Sequence, residues 1–342
     1  MSDRGADRHR MPTLDDVAAL AGVGRGTVSR VVNGAPHVSP EAAARVLAAV
    51  EQLGYVPNKA ARSLVTRRAE TVTLVISESE ERVFTEPFFA DVVRGISAAL
   101  VEHSRPLLLA MAQTVAQHES LEQYLLGQHV DGVMLLSLHG DAPLLGELER
   151  RGLPTVIGGR PPHGQDLSFV DVDNVAGGFD ATTHLLERGR HCVAIITGPP
   201  DMAVSADRLQ GYREALAQRG VVLDDKLVVA GDFTEAGGQA AMTALLDRAP
   251  HLDAVFASSD LMASGAVRAL LGRGLRVPDD VAVVGFDDAP VARHTEPQLT
   301  TMHQPIEQMG RSMVELLVAR IEGRETEQHV MLAPHLVVRA SS

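Results

Sequence analysis

The sequence predicts an all-α helix-turn-helix head followed by an α/β core of two lobes, each built on a doubly wound parallel sheet. The chain has 342 residues, which is more than one hydrophobic core usually serves. Its first 56 residues contain short helical patterns with clear start and stop signals. From about residue 70, apolar strands alternate with helical stretches in two successive series. Two or three domains are therefore expected.

The first predicted helix begins at Thr13, a good N-cap, with Asp16 in the capping-box position, and it ends at Gly22. A second helix is predicted from about residue 25 to residue 33. A third begins at Ser39, which is followed by a proline at the first helical position, and continues to residue 54. Two short helices joined by a glycine turn and braced by a third describe a helix-turn-helix unit.

In such a unit the second helix enters the major groove, so its outward side chains face base edges. The outward residues here are Arg25, Gly26, Ser29 and Arg30, while Thr27 and Asn33 can reach phosphates. An arginine that donates two hydrogen bonds to guanine contributes about 1 to 3 kcal/mol of discrimination. The alternative is a three-helix packing module whose arginines are merely solvated.

The distribution of charge favours nucleic acid as the partner of the head alone. Residues 1 to 68 carry ten basic and six acidic residues, whereas the remainder carries 21 basic and 38 acidic residues. The net charge of -13 therefore comes entirely from the residues after 68, because the first 68 residues are net positive. A basic head on an acidic body is the asymmetry expected when only the head meets a polyanion.

The cysteine content and the apolar runs of the sequence also indicate the cellular compartment. The single cysteine, Cys192, excludes an intrachain disulfide and fits a reducing environment. The N-terminus lacks an apolar signal region, and no run of about 18 apolar residues occurs. We therefore expect a cytoplasmic protein with no membrane partner.

The segment TLDDVAALAGVGRGTVSRVVNG, followed by VSPEAAARVLAAVEQLGYVPNKAARSL, resembles the DNA-binding head of the LacI/GalR family of bacterial transcription regulators. The resemblance extends more diffusely over nearly the whole chain. It implies a homodimer that binds a near-palindromic double-stranded operator, and a small effector, most simply a sugar, that changes operator affinity from the core. The DNA contacts it implies are Thr13, Arg25, Gly26, Thr27, Ser29, Arg30, Asn33, Tyr55, Asn58, Lys59, Ala61 and Leu64.

Residues 57 to 64 resemble the family's hinge helix, with Asn58 as its cap and Leu64 as the apolar wedge in the minor groove. A helix this short is marginal alone and would order only on DNA. Apolar wedges of this kind kink a duplex. Outside the family context, Leu64 would read as an ordinary linker residue. The resulting domain boundaries are an N-terminal extension at 1–11, the head at 12–56, the hinge and linker at 57–69, and the core at 70–342.

The core strands are predicted from continuous apolar runs typical of parallel sheets covered on both faces. The first series occupies 72–77, 106–111, 131–137 and 154–159, and the second comprises FVDVDN and the runs at 192–198, 227–233, 254–259 and 281–288. The expected N-lobe is 70–165 plus 300–325, and the expected C-lobe is 166–299 plus 326–342. In such a periplasmic-binding-protein-like core, ligands bind between the lobes, outside the carboxyl ends of the strands.

The resemblance places the effector site on Phe88, Arg160, Arg208, Phe233, Ser259, Asp260, Asp287 and Gln304. Arg208 would grip a hydroxyl or carboxylate of the effector, Asp287 would accept two hydroxyls, and Phe233 would cover the apolar face of a ring. The alternatives are a helix-start salt bridge for Arg208 and a packing role for Phe88.

Several positions depart from the family pattern. Gly159 and Arg160 stand where many relatives have an aspartate, and Ser259 with Asp260 stands where Asn-Asp is common. These changes alter the polar inventory of the pocket, so a nucleobase, a nucleoside or a corepressor stays an alternative to a sugar inducer. In the head, Gly26 removes a side chain that usually reads a base, which leaves Arg25 as the main probe.

Two other classes of protein are alternatives to a transcription regulator. Paired carboxylates such as Asp171 and Asp173, or Asp287 and Asp288, suggest an enzyme, but no nucleophile, Walker or H-E-x-x-H motif accompanies them. A stand-alone sugar-binding protein would carry a signal peptide and no DNA-binding head. We therefore expect no catalytic residue, no metal site and no cofactor. The absence of apolar heptads after HLVVRASS predicts a dimer rather than a tetramer.

Overall fold

The computed structural model describes residues 12–33, 37–56, 69–112, 114–127, 129–139, 143–161 and 167–342. The chain divides into two compact units, Met1–Ala69 and Glu70–Ser342. Among the described residues, no helix has the length and apolar character needed to cross a membrane. The two units are the head and the core of the sequence analysis.

The head contains the helices Leu14–Ala21, Arg25–Val32 and Pro40–Leu53. Thr13 caps the first helix in a capping box with Asp16, and Gly22 ends it in the left-handed conformation. Gly24 caps the second helix through its backbone alone. The core between the three helices comprises Val17, Ala21, Val28, Val46, Ala49 and Tyr55. All of these except Tyr55 are small apolar side chains. The helix-turn-helix prediction is confirmed.

The N-terminal lobe is built on a parallel six-strand sheet among the described residues, in the order β11-β5-β4-β3-β1-β2. Its strands are β1 Val72–Ile76, β2 Leu107–Met111, β3 Gly132–Leu136, β4 Thr155–Gly158, β5 Phe169–Val172 and β11 His329–Leu332. Its helices are Glu80–Thr85, Pro87–Glu102, Val115–Leu126, Pro143–Arg150 and Ile306–Glu322. Separate apolar clusters cover the two faces of the sheet.

The C-terminal lobe contains the sheet β12-β10-β9-β8-β6-β7, which is parallel except for the pair β10 and β12. Its strands are β6 Val193–Thr197, β7 Val228–Ala230, β8 Ala254–Ala257, β9 Ala282–Asp287, β10 Thr300–His303 and β12 His335–Val337. Its helices are Asn174–Glu187, Ala203–Gln218, Glu235–Arg248 and Asp260–Gly272, with 3-10 turns at Asp225–Leu227 and Pro290–Arg293. Two doubly wound parallel-sheet lobes were predicted, and this prediction is confirmed.

The crossings between the lobes differ from the expected boundaries. Strand β5 and strand β11 pair with each other in the N-terminal sheet, although residues 166–299 and 326–342 were expected in the C-lobe. Conversely, β10 pairs with β9 in the C-terminal sheet, although residues 300–325 were expected in the N-lobe. An apolar pattern identifies a strand but carries no information about which sheet edge it joins.

Reciprocal glycines let helices approach closely where the cleft begins. A Cβ at Gly178 would lie 2.4 Å from the carbonyl oxygen of Arg208, and one at Gly211 would lie 2.1 Å from that of Val175. Helix Ala203–Gln218 therefore packs against helix Asn174–Glu187 at backbone distance. This contact brings Arg208 beside Asn174 at the base of the cleft.

Candidate DNA-binding surface and effector cleft

The helix Arg25–Val32 presents a sparse polar face to solvent. Arg25 has a side chain 68% exposed and lies 3.6 Å from Asp15. Nothing lies within 4 Å of a Cβ built on Gly26. Arg30 folds back along its own helix, where its Nε donates to the carbonyl oxygen of Gly26 at 3.2 Å. Arg25 is thus the long side chain at the N-terminal end of this helix that is most free to extend.

The other predicted DNA contacts in the head have local partners. The Nδ2 of Asn33 donates to the carbonyl oxygen of Ser29 at 2.8 Å, which ties down the end of the helix. The hydroxyl of Thr13 donates to Asp16 at 2.7 Å, and Thr27 is half-buried. Tyr55 is 8% exposed and packs in the core of the head. Asn58, Lys59, Ala61 and Leu64 lie outside the described residues.

Gly26 has no packing reason to be glycine, so its replacement separates folding from DNA binding. Gly26→Ala is expected to stabilise the head by about 0.5 to 1 kcal/mol, because alanine costs less backbone entropy in a helix. If glycine is there for close approach to the duplex, Gly26→Leu folds normally but binds DNA at least tenfold more weakly. Thermal unfolding and fluorescence anisotropy check the two effects. Unchanged DNA affinity in Gly26→Leu would contradict this role.

The two lobes of the core enclose a cleft of about 790 Å³, a volume that includes the solvent at its mouth. Residues at the carboxyl ends of strands from both sheets line it, as expected for open α/β sheets. The polar lining consists of Arg82, Glu86, Ser137, Arg160, Asp171, Asn174, Arg208, Asp287 and Gln304. Apolar and aromatic residues complete the wall, and they include Phe88, Phe89, Leu136, Ile157, Met202, Val204, Phe233 and Met309.

A continuous chain of polar contacts crosses the floor of the cleft. Asn174 Nδ2 donates to Asp171 Oδ1 at 3.2 Å, and Arg208 Nε donates to Asn174 Oδ1 at 2.9 Å. Arg208 Nη1 lies 4.0 Å from Asp287 Oδ1, which also accepts a hydrogen bond from Gln304 Nε2. Arg208 is 4% exposed, and its guanidinium also stacks 3.7 Å over the Phe286 ring. A buried arginine is therefore held with fixed geometry by residues of its own lobe, and Asn174 links it to Asp171 of the N-lobe.

Backbone strain is concentrated where strands enter the cleft. Ser137, Gly159, Phe233 and Asp287 all have positive φ angles, of 60°, 100°, 65° and 118°. Such conformations are unfavourable for residues other than glycine and persist where the surrounding structure requires them. Strained positions are enriched at ligand sites, and three of these four side chains are polar or aromatic groups of the lining.

The aromatic side of the cleft is formed mainly by Phe233. Its ring lies against Gly198, where a Cβ would approach within 2.0 Å of the ring, so a glycine is required beside it. The guanidinium of Arg82 from the opposite lobe lies 5.0 Å from the ring centroid. A cation over an aromatic face contributes about 0.5 to 2 kcal/mol. Phe233 is 5% exposed in this arrangement.

The structure brings together six of the eight residues proposed for the effector. Phe88, Arg160, Arg208, Phe233, Asp287 and Gln304 all line the cleft. Ser259 instead caps helix Asp260–Gly272 and lines a neighbouring cavity. Asp260 is fully buried behind the strand ends, where it accepts hydrogen bonds from Thr301 Oγ1 at 2.6 Å and from the backbone N–H of Ala289 at 2.7 Å. Its position in the structure supports a role in holding the β9–β10 region rather than in contacting a ligand.

Five polar residues of the cleft were missed by the sequence analysis, namely Arg82, Glu86, Ser137, Asp171 and Asn174. Asp171 and Asn174 follow from the assignment of β5 to the N-terminal sheet, which the apolar pattern did not show. Arg82 lies in the short helix after β1 and Glu86 caps its C-terminal end, where Arg82 Nε donates to Glu86 at 2.8 Å. Position was an available signal for Ser137, Asp171 and Asn174, because they lie in or at the end of predicted strands.

Burial shifts the proton affinity of the carboxyl groups in the cleft. Burial raises the pKa of Asp171 to about 7, against opposing effects from the Val172 N–H and from Arg160. Burial also raises the pKa of Asp287, although the neighbouring Arg208 lowers it. Burial likewise raises the pKa of Glu86. Desolvated carboxylates beside an arginine are suited to accept hydrogen bonds from a polyhydroxylated ligand that replaces the lost water.

The raised pKa of Asp171 predicts a pH-dependent stability. Because the folded pKa of about 7 lies above the unfolded value of about 3.9, folding favours the protonated form. This stabilisation is complete below the unfolded pKa and is lost as the pH rises through about 7. The free energy of unfolding of ligand-free protein should therefore fall from pH 6 to pH 8, and Asp171→Asn should reduce that fall by about 1 kcal/mol. An equal fall in the wild type and in Asp171→Asn, measured by urea denaturation at pH 6 and pH 8, would exclude Asp171 as the source.

A helix-turn-helix head joined to a two-lobed core with a polar, aromatic-lined cleft defines a ligand-responsive DNA-binding regulator. Residues 13–58 match the family model described as bacterial regulatory proteins, lacI family. Residues 182–342 match the model of a periplasmic binding protein-like domain. The HTH-type transcriptional regulator CelR of Thermobifida fusca is 55% identical over 339 residues, which cover 98% of this chain and 99% of CelR.

Other relatives agree with this class. The ribose operon repressor of Escherichia coli K12 is 36% identical over 97% of this chain and 100% of its own length. A solved CelR–cellobiose complex has a TM-score of 0.79 at 52% identity and covers 97% of this chain and all of that one. The lac repressor dimer bound to operator and the anti-inducer ONPF has a TM-score of 0.87 at 26% identity, covering 97% of this chain and 99% of that one. The chain belongs to the LacI family of bacterial regulatory proteins, and it is a DNA-binding transcription regulator rather than an enzyme.

Proposed function

We propose that this protein is a repressor that binds a near-palindromic operator as a homodimer and responds to a β-linked glucose disaccharide, of which cellobiose is the first to test. The observation that carries the ligand proposal is the cleft with Arg208, Asp287 and Gln304 on its floor and Phe233 on its side. The site of action is the cytoplasm, where its DNA target lies. The proposed domains are the head at 12–56, the hinge and linker at 57–69, and the core at 70–342.

The chemistry of the cleft suits a sugar of more than one ring. Its volume of about 790 Å³ lies within the range of small-molecule sites. Polar groups stand at two places, since Arg160 and Asp171 lie on the N-lobe side and Asp287 and Gln304 lie on the C-lobe side. Arg208 and Asn174 connect them, and the rings of Phe88 and Phe233 supply apolar faces for a pyranose.

The comparison with relatives narrows the choice of probe. The relative at 52% identity was solved in complex with cellobiose, whereas a relative at 36% identity is named for the ribose operon. A disaccharide is supported by the higher identity and by polar groups at both ends of the cleft. A monosaccharide is the second candidate. It would leave one polar end of the cleft unoccupied.

The head supports operator binding through few side chains. Arg25 is exposed at the N-terminal end of the recognition helix, where an arginine can reach guanine in the major groove. The open space around Gly26 permits close approach of the helix to DNA. The proposed phosphate contacts are Thr27, Asn33 and the hinge residues Asn58 and Lys59. We place Leu64 and Ala61 in the minor groove at the operator centre.

Thermal unfolding of the full-length protein with cellobiose, maltose and ribose tests the ligand proposal. A ligand at a hundred times its dissociation constant stabilises the folded state by about 2.7 kcal/mol. Cellobiose is therefore expected to raise the unfolding temperature by about 5 °C, while maltose and ribose at equal concentration raise it less. Maltose is the matched control, because it has the same composition with an α linkage.

Two results would overturn this proposal. A larger shift with ribose than with cellobiose would assign the cleft to a monosaccharide. No shift with any of the three sugars, followed by a shift with a purine nucleoside, would assign it to a nucleobase ligand.

A further inference from the structure

A histidine bridges the two lobes at the edge of the cleft. His139 lies three residues beyond the end of β3, in the N-lobe. Its Nε2 is 2.9 Å from Glu78 Oε1 of the same lobe, and its Nδ1 is 2.8 Å from Asp201 Oδ2 of the C-lobe. The ring therefore lies between two carboxylates that belong to different lobes.

Both carboxylates can be satisfied at once only by the charged ring. An imidazolium donates from both nitrogens, whereas neutral imidazole has one N–H and one lone pair. When the proton leaves, one carboxylate faces a lone pair and its contact becomes repulsive. Asp201 is half exposed, so it can turn to water at little cost. Loss of the proton therefore breaks the link between the lobes on the Asp201 side.

The N-lobe half of the bridge is firmly held. Glu78 is 8% exposed and accepts hydrogen bonds from Ser137 Oγ at 2.6 Å and from Arg82. Ser137 has a φ of 60°, so a strained residue supports this contact. Glu78 thus keeps its position when the histidine changes charge, and the weak point is the contact across the cleft.

The two carboxylates in contact with His139 favour its protonated form. They are Glu78 on the N-lobe and Asp201 on the C-lobe. The Arg82 guanidinium, which pairs with Glu78 on the N-lobe, is a cation and opposes the protonation. The pKa of His139 is raised, chiefly by its hydrogen bond to Glu78, while burial opposes the shift. The pKa of Asp201 is lowered by its hydrogen bond to His139.

A second contact across the cleft has no such dependence on pH. Arg160 Nε of the N-lobe lies 3.5 Å from Asp207 Oδ2 of the C-lobe. An arginine stays charged throughout the physiological range. Among the described residues, two cationic groups of the N-lobe thus contact the C-lobe near residues 201–207. Arg160 stays charged, whereas His139 titrates.

We propose that Glu78, His139 and Asp201 form a latch that closes the lobes over the effector when His139 is protonated and releases them when it is neutral. His139 is a positioning residue, because it acts on the ligand through the closure of the lobes. The choice of cellobiose as probe rests on the proposed function. A proton would then act with the effector, and operator occupancy would depend on intracellular pH as well as on sugar.

Three variants of the full-length protein separate the latch from other pH effects. His139→Gln cannot satisfy both carboxylates and carries no titrating proton. Asp201→Asn restores a partner for the neutral ring, because an amide N–H can donate to the Nδ1 lone pair. His251→Gln is the matched control, since His251 is exposed and does not line the cleft.

Cellobiose affinity is measured by calorimetry between pH 6.5 and pH 8 for each protein. We expect the wild-type affinity, divided by that of His139→Gln, to rise at least threefold as the pH falls across this window. Asp171 and Asp287 titrate in both proteins. Their protonation affects cellobiose affinity in the opposite direction to that of His139, and this effect cancels in the ratio. Asp201→Asn should keep its affinity at pH 8 with a flatter profile, and His251→Gln should follow the wild type. A constant ratio between wild type and His139→Gln would overturn the latch.

Nuclear magnetic resonance of histidine-labelled, ligand-free protein tests the latch without any sugar. The His139 signal is assigned by its absence in His139→Gln, and it should titrate above pH 6.5 in the wild type and lower in Asp201→Asn. A wild-type value at or below 6.5, or no change in Asp201→Asn, would overturn the latch. Absence of cellobiose binding at every pH would overturn the proposed function, and this titration would still decide on the latch.

Discussion

Replacing Asp287 by alanine is expected to lower the affinity for cellobiose by at least about a hundredfold. A carboxylate that accepts two sugar hydroxyls provides two charge-assisted hydrogen bonds of about 1.5 to 3 kcal/mol each. Asp287 faces the cleft beside Arg208 and Gln304. Calorimetry measures the affinity, and thermal unfolding with and without the sugar measures the loss of response.

The alanine variant needs a partner that keeps the shape of the side chain. Removing Asp287 leaves the buried guanidinium of Arg208 less well compensated, and breaking a buried pair is destabilising. Asp287→Asn keeps the oxygen that Gln304 contacts and removes only the charge, which burial already disfavours. It should fold as stably as the wild type at pH 8 and still bind cellobiose at least tenfold more weakly.

Asp247→Ala is the matched surface control for both Asp287 variants, because Asp247 is exposed and pairs only with Arg273 among the contacts seen. It should bind cellobiose like the wild type. Wild-type affinity in the folded Asp287→Asn protein would remove Asp287 from the site.

Replacing Arg25 by alanine should relax base preference by about ten- to a hundredfold. This range corresponds to the loss of one bidentate arginine–guanine pair, worth about 1 to 3 kcal/mol. Arg25 is exposed at the start of the recognition helix, and its neighbour Gly26 offers no side chain that could compensate. The measurement is anisotropy with a duplex selected from a random pool and with single-base variants of that duplex.

Arg30→Ala is the informative companion, because Arg30 lies along its own helix and donates to the carbonyl of Gly26. If Arg30 extends only to a phosphate, its loss should weaken binding to all duplexes about equally and reduce the salt slope by about one. A change of base preference in Arg30→Ala with none in Arg25→Ala would exchange their roles.

Local chemistry made the elements predictable, and the family resemblance made much of the cleft predictable. The capping box at Thr13 and Asp16, and the Ser39-Pro40 start of the third helix, occur in the structure as expected. The cleft itself was expected because carboxyl ends of parallel strands face the space between lobes. Arg208, Asp287 and Gln304 line it, and they were named from the family resemblance rather than from spacing alone.

Long-range register was not predictable in the same way. The assignment of β5 to the N-terminal sheet brings Asp171 and Asn174 to the cleft, and no local pattern shows which sheet accepts a strand. Asp260 sits at a strand end like Asp287, but hydrogen bonds from Thr301 and Ala289 hold it behind the sheet. The latch of Glu78, His139 and Asp201 joins residues 61 and 62 positions apart, beyond the reach of any pattern in the sequence.

The central claim is that one sugar in the cleft changes the affinity of the head for DNA. Titrating full-length protein onto its selected duplex by anisotropy, with and without saturating cellobiose, measures this coupling directly. We expect at least a fivefold change in the dissociation constant, as is typical of coupling free energies of 1 kcal/mol or more. The change should be absent in Asp287→Ala. Equal operator affinity with and without cellobiose, in protein shown by calorimetry to bind it, would contradict the account.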